Sequence, residues 1–226
     1  MYIASTNSTN TLLKELIAKA EWPNGERFIR AGYQTAGRGQ TGNGWESEAD
    51  KNLLCSILLP PNKNLHFLNI AVSVAVRRII GEDFTIKWPN DIYWKDKKVA
   101  GILVENAIVG SEVKYSIAGI GLNVNQTEFK SDAPNPISLK QIYGTDFVVD
   151  ELMQKLYAEV QRTWEEDVWA EYKSHLYRRE GFWPFEDKNG KFEARIDDVL
   201  PTGEIVLKDR NNKKRIYQFK QIRYVI

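Results

Sequence analysis

Apolar positions along the 226-residue chain change period several times, and each change marks an element. Leu12, Leu13, Leu16 and Ile17 recur at helical spacing behind a polar start. Arg27 to Tyr33 reads as a short strand, and Leu53 to Leu59, bounded by Pro60-Pro61, as a buried one. Leu65 to Ile80 is an apolar helix flanked by Arg77 and Arg78. Val99, Gly101 and Leu103 alternate with Ala100, Ile102 and Val104, so two apolar faces predict a strand covered on both sides. Val113 to Asn125 follows as a strand paired to it through Val109-Gly-Ser-Glu112. Leu152, Leu156, Val160 and Trp164 make Asp150 to about Tyr177 a long amphipathic helical region. Gly181-Phe-Trp-Pro184 marks a boundary, and Phe192 to Ile226 reads as short strands separated by Pro201-Thr-Gly-Glu204 and Asp209-Arg-Asn-Asn-Lys213. The pattern predicts one large domain over 1–182 and a small all-β module over 183–226.

The polar stretches carry the chemistry. Gly37-Arg38-Gly39-Gln40-Thr41-Gly42-Asn43-Gly44-Trp45 is too rich in glycine for a regular element, but it lets backbone amides approach a ligand closely. Gly37, Gly39 and Gly42 satisfy the G-x-G-x-x-G spacing, yet a polar turn and a strand follow where a dinucleotide fold requires a helix. Kinase partner motifs and a Walker A motif are both missing. Lys87-Trp-Pro-Asn-Asp91 contains a proline that holds Trp88 extended and a turn that sets the Asp91 carboxylate at a bend. Lys98 stands at the mouth of the next strand, after the charged turn from Lys95. Gly101 inside that strand implies close approach of something to the backbone. Gly119 and Gly121 lie on one face of the following strand and leave a flat strip suited to a thin, planar ligand.

Five motifs in order carry a resemblance: Ser8-Thr9-Asn10, Gln34 to Trp45, Lys87 to Asp91, Lys98 to Glu105, and Gly119 to Asn125. With them the chain resembles the biotin protein ligases, which activate biotin with ATP as biotinyl-5′-adenylate and pass it to a carrier lysine. The resemblance implies an α+β fold, a mixed sheet with flanking helices, plus a small C-terminal SH3-like β-barrel. It implies that Ser8, Thr9 and Gln34 hold the ureido ring of biotin, and that Gly101, Gly119 and Gly121 line a slot for ring and tail. Arg38 and Lys98 would meet the biotin carboxylate and the α-phosphate, with Lys98 catalytic. Asp91 would orient that lysine or a Mg2+ ion, with no direct protein metal site. Gly39, Trp45 and Asn123 would join Arg38 and Lys98 in the adenylate pocket. Ser5-Thr6-Asn7 duplicates the first motif, and the second copy is preferred because the helical spacing begins right after it. Where many relatives have a second loop arginine this chain has Gln40, so the loop carries one cation.

Charge is balanced at +1 with no basic stripe for nucleic acid. The lone Cys55, inside an apolar strand, reads as core and rules out an internal disulfide. His66 and His175 alone give no support for a histidine metal site. No run approaches a membrane span and no leader pattern is visible, so a soluble cytoplasmic protein is expected. Ser8 stands so near the start that the winged helix-turn-helix of many relatives has no room, and no nucleic-acid partner is expected. The expected partner is the biotin carboxyl carrier protein of a biotin-dependent carboxylase, and a homodimer is left open. A lipoate or octanoate ligase or transferase of the same fold would carry an R-R-x-x-G-G-G type loop and a following histidine, which this chain lacks. A non-catalytic biotinyl-adenylate-binding protein would be expected to lose Lys98 or Arg38, and both are here.

Overall fold

A computed structural model describes the chain apart from residues 24, 41, 42, 62, 63, 132 and 134. Thr41 and Gly42 of the glycine run therefore lie outside the described residues. The first domain is a seven-stranded sheet in the order β1-β2-β3-β7-β6-β5-β4. Its strands are β1 (Tyr2–Thr6), β2 (Phe28–Gln34), β3 (Leu53–Leu59), β4 (Phe84–Lys87), β5 (Asp91–Trp94), β6 (Lys97–Val109) and β7 (Glu112–Leu122). β1 and β2 run parallel and the other pairs antiparallel, so the sheet is mixed.

Two helical layers divide the sheet faces. On one face, α2 (Leu65–Ile80) buries Leu68, Val72, Ala75 and Val76, and packs with α4 (Val149–Glu165) against Cys55, Ile57, Ile102, Ala118 and Ile120. Each large apolar side chain sealed there contributes about 1.5–3 kcal/mol. On the other face, α1 (Thr9–Ala18) sets Leu13 on Ile29 and Ile117 and packs over β2, β3 and β7. Gly101, Gly119 and Gly121 pave this face beside it, where β6 and β7 meet.

The long helical region divides at Glu166, which is extended, into α4 and α5 (Trp169–Ser174). Arg78 explains the break. Its guanidinium binds Glu159 at 2.8 Å, Glu166 at 2.9 Å and Glu171 at 2.9 Å. In one unbroken helix Glu171 would point about 120° away from Glu159. Arg77, expected as a helix flank, is buried and bonded to Glu82, Glu171 and the Phe84 carbonyl.

After α3 (Leu139–Tyr143), α4 and α5, the chain forms a separate five-stranded antiparallel sheet of the small SH3-like barrel kind, ordered β11-β10-β9-β8-β12. The strands are β8 (Trp183–Asp187), β9 (Gly190–Val199), β10 (Ile205–Asp209), β11 (Lys214–Tyr217) and β12 (Arg223–Tyr224). This module touches the turn between β4 and β5. The Trp88 indole donates to the Gly203 carbonyl at 3.0 Å, and Phe219 meets the Trp88 ring edge-on at 6.1 Å.

Candidate active site

One row across the sheet organises the site. Lys87 pairs with Asp91, Asp91 with Gly101, and Gly101 with Gly121, so the four share one line and alternate with core-facing neighbours. Lys98 joins this line through a β-bulge. Ile92 opposes Ala100 and Tyr93 opposes Lys98, leaving Val99 without a partner on β5. Unbroken alternation would have put Val99 on the face of Gly101 and Lys98 on the opposite one. Instead Val99 is buried in the core, and Lys98 Nζ bonds Asp91 Oδ1 at 2.7 Å. A Cβ on Gly101 would lie 3.2 Å from Lys98 Cε and Nζ.

The cavity over this row measures about 240 Å³ and is lined by every sequence-predicted site residue except Asn123. Asn123 is buried, and its side-chain amide donates to the Ile137 carbonyl at 3.2 Å. Of the two Ser-Thr-Asn copies, Ser8, Thr9 and Asn10 line the cavity, while Ser5 and Thr6 sit in β1. Ser8 occupies the N-cap position of α1 with an extended backbone, but its side chain makes no capping bond.

A chain of polar groups runs from this end. Gln34 Oε1 accepts from the Thr9 backbone amide at 2.8 Å and from its hydroxyl at 3.1 Å. Ser56 Oγ lies 2.7 Å from Thr9 Oγ1 and 2.5 Å from Asn10 Oδ1. The Asn10 amide donates to Glu105 at 2.7 Å, and Glu105 also binds Lys14 at 2.6 Å and Arg38 at 3.0 Å. Burial pushes the Glu105 carboxyl up, but Lys14, Asn10 and Arg38 outweigh it and hold the group below the usual glutamate range. Arg38, expected beside Lys98, thus shares the cavity with it while its guanidinium rests on Glu105. Ser56 and Glu105 carried no role in the sequence reading. Ser56 was hidden inside an apolar run, and Glu105 ends a recognised motif.

The described parts of the glycine run, Gly37 to Gln40 and Asn43 to Trp45, pair as a narrow hairpin in which Arg38 bridges Gly44, and the Trp45 amide donates to the Gly37 carbonyl at 2.9 Å. Gly37 is required there, since a Cβ would fall 2.5 Å from the Trp45 carbonyl oxygen. The hairpin lays the Trp45 indole over Gly101 and Gly121, with the Lys98 ammonium 5.7 Å from the ring centre. The indole nitrogen is buried with no hydrogen-bond partner, as is Gln40 Oε1. With the indole in the strip, the cavity is small for a ligand cleft. Just past it, Glu46 accepts the backbone amides of Lys130 and Ser131, each at 2.7 Å, tying the hairpin to the segment after β7.

Asp91 is the one carboxylate among the described lining residues, and no group of three metal-binding side chains occurs among the described residues. A Mg2+ ion, which favours water and phosphate oxygens with one or two carboxylates, fits only as a nucleotide-borne ion that Asp91 could ligate. No helix among the described residues is long and apolar enough to cross a membrane.

The chain is similar to known proteins in sequence and in fold. A model of the biotin/lipoate A/B protein ligase family matches residues 2–123. The bifunctional ligase/repressor BirA of Bacillus subtilis is 35% identical over 127 residues, 53% of this chain and 38% of that protein. The biotin–acetyl-CoA-carboxylase ligase of Mycobacterium tuberculosis is 32% identical over 148 residues, 61% of this chain and 53% of that protein. The chain thus spans about half or less of the length of these two relatives. A solved biotin protein ligase from Aquifex aeolicus, in complex with biotin and ATP, superimposes with a TM-score of 0.81. That match covers 100% of this chain and 98% of the other at 23% identity, a likeness of fold.

Proposed function

This chain belongs to the biotin/lipoate A/B protein ligase family, and from that premise we propose that it is an ATP-dependent biotin protein ligase. Its substrates are biotin, ATP with Mg2+, and a lysine of a biotin carboxyl carrier domain. The observation that carries the reading is the Lys98–Asp91 pair at one end of a glycine-paved strip, with Ser8, Thr9 and Gln34 at the other. A planar bicyclic ligand with polar edges and an anionic tail matches that order of groups.

In the first step a carboxylate oxygen of biotin attacks the α-phosphorus of ATP, the bond to the β-phosphate breaks, and pyrophosphate leaves. Lys98 supplies positive charge to the two anions that must meet and to the α-phosphoryl oxygens as charge grows on them. Asp91 fixes that ammonium in place. Arg38 brings a planar fork suited to carboxylate and phosphate oxygens. In this role it exchanges Glu105 for the reacting anions, while Glu105 retains Lys14 and Asn10. In the second step the carrier amine attacks the acyl carbon, the bond to AMP breaks, and the nitrogen loses a proton. The hairpin of Gly37 to Trp45 covers the hydrolysable mixed anhydride between the steps.

The test is incubation with radiolabelled biotin, ATP and Mg2+, with and without a carrier domain. Biotinyl-adenylate in the first case and labelled carrier in the second are expected. Failure of both products to form would refute the reading.

A further inference from the structure

We propose that Asn135 is a positioning residue for adenylate formation, one that grips the hairpin at Asp96 and at Lys98 and so fixes the root of the Lys98 side chain. The inference rests on the ligase reading and concerns a residue outside the described lining of the cavity.

β7 pairs with β6 only as far as Leu122, opposite Ala100. Lys98 and Val99 lie beyond that end, so the bulged backbone needs other partners on that side. The segment that follows β7 returns to supply them. The Lys98 amide donates to the Asn135 carbonyl at 2.8 Å, the Lys98 carbonyl accepts from the Ile137 amide at 3.0 Å, and Pro136 runs alongside as a parallel bridge. The Val99 carbonyl accepts from the Asn123 amide at 2.9 Å, and the Asn123 side chain in turn holds the Ile137 carbonyl. Asn135 adds a second hold, because its side-chain amide donates to the Asp96 carbonyl in the turn that leads into Lys98.

Both ends of the lysine are thereby fixed. Asp91 holds the ammonium at 2.7 Å, while Asn135 and Ile137 hold the peptide groups from which the side chain springs. That ammonium must meet the reacting carboxylate and the α-phosphate together, and misplacing such a group by about 1 Å can cost about a hundredfold in rate. The main-chain bonds do not depend on the side chain at 135, so the hold on Asp96 is the part that a substitution removes. Since Asn135 does not line the cavity, its removal leaves the contacts to biotin and ATP in place.

The experiment is a double-mutant cycle on adenylate formation, followed as pyrophosphate release by the full chain. Asn135→Ala is expected to lower kcat about tenfold, the rate equivalent of one hydrogen bond, with the KM values for biotin and ATP within about twofold. Asn135→Leu, close in shape and without the donor, behaves alike. In the Lys98→Ala background the same substitutions change the residual rate by less than about twofold, because the group they position is gone. An Asn135 that only supported the fold would slow both backgrounds by the same factor. That result overturns this inference alone, as does wild-type kcat in both Asn135 variants, a raised KM with kcat unchanged, or loss of the folded circular dichroism spectrum in both. A wild type that forms no biotinyl-adenylate overturns the ligase reading with it.

Discussion

The Trp45 indole lies across the backbone of Gly121, so that a Cβ at residue 121 would stand 2.7 Å from two of its ring atoms, Cζ2 and Nε1. The strip cannot hold the indole and a bicyclic ligand at once. Gly121→Ala therefore expels the indole and also narrows the floor. Biotin affinity by calorimetry is expected to fall about tenfold or more, the discrimination a single misplaced methyl can impose. Far-UV circular dichroism should be unchanged, and wild-type biotin affinity in the variant would show that the strip is not the binding floor.

Lys98→Ala removes the ammonium and leaves Asp91 facing the cavity without its 2.7 Å partner. Adenylate formation, read as pyrophosphate release, is expected to slow by about 10²–10³-fold. Wild-type release would defeat the role given to Lys98.

Glu105 gathers Lys14, Asn10 and Arg38 on one carboxylate. Burial raises its pKa, but those partners lower it overall, so the folded value sits below the unfolded one. The stability it confers is therefore present above the ordinary glutamate pKa and lost as pH falls through the folded value. Glu105→Gln is expected to lower Tm at neutral pH, by about 2–4 °C for each kcal/mol in a chain of this size. The gap between the proteins should narrow as pH falls through and below the ordinary glutamate range. A gap that stays constant down to pH 3 would mean the ion pairs are not its cause.

Cys55 lies in the core, where burial pushes its thiol up to about 12, with a small opposing effect of Arg30. Reactivity follows the thiolate. Labelling by iodoacetamide at pH 8 is expected only in denaturant, in step with the loss of fluorescence. Stoichiometric labelling of the native enzyme would contradict the burial.

Gln40 lines the cavity with its carbonyl oxygen buried and without a partner. Gln40→Arg places a second cation in the hairpin. It is expected to slow release of biotinyl-adenylate in a stopped-flow chase by about tenfold, the worth of one charge-assisted bond, while biotin affinity changes little. Equal release rates would leave retention to the closure of the hairpin itself.

Much of the scaffold was legible from period alone. Leu65 to Ile80 and Leu53 to Leu59 have the bounds expected from their apolar runs, because most of each run is buried. The break between α4 and α5 was not, since three glutamates converging on Arg78 depend on which residue of another helix faces them. At the site, the motif residues could be named, but their geometry could not. Ser56 reads as one polar residue in a hydrophobic strand, and only the α1 packing brings it to Thr9 and Asn10. Phe219 and Tyr224 reach the Lys87-Trp-Pro-Asn turn from a module more than a hundred residues downstream. Local pattern holds no trace of such contacts.

The unpaired Val99 imposes a rule of parity on this stretch of chain. A strand inverts its two faces with every residue added or removed. Between the turn at Lys95 and the anchored pair Gly101–Asp91, one surplus residue is the whole reason that an ammonium, and not a valine side chain, faces the reaction. Regular pairing with Val99 kept, so that Val99 opposed Tyr93, would send Lys98 into the hydrocarbon core, and every chemical group would survive with its address reversed. Anyone grafting this hairpin must therefore keep the bulge, or remove Val99 with it, so that Lys98 stays in step with Gly101.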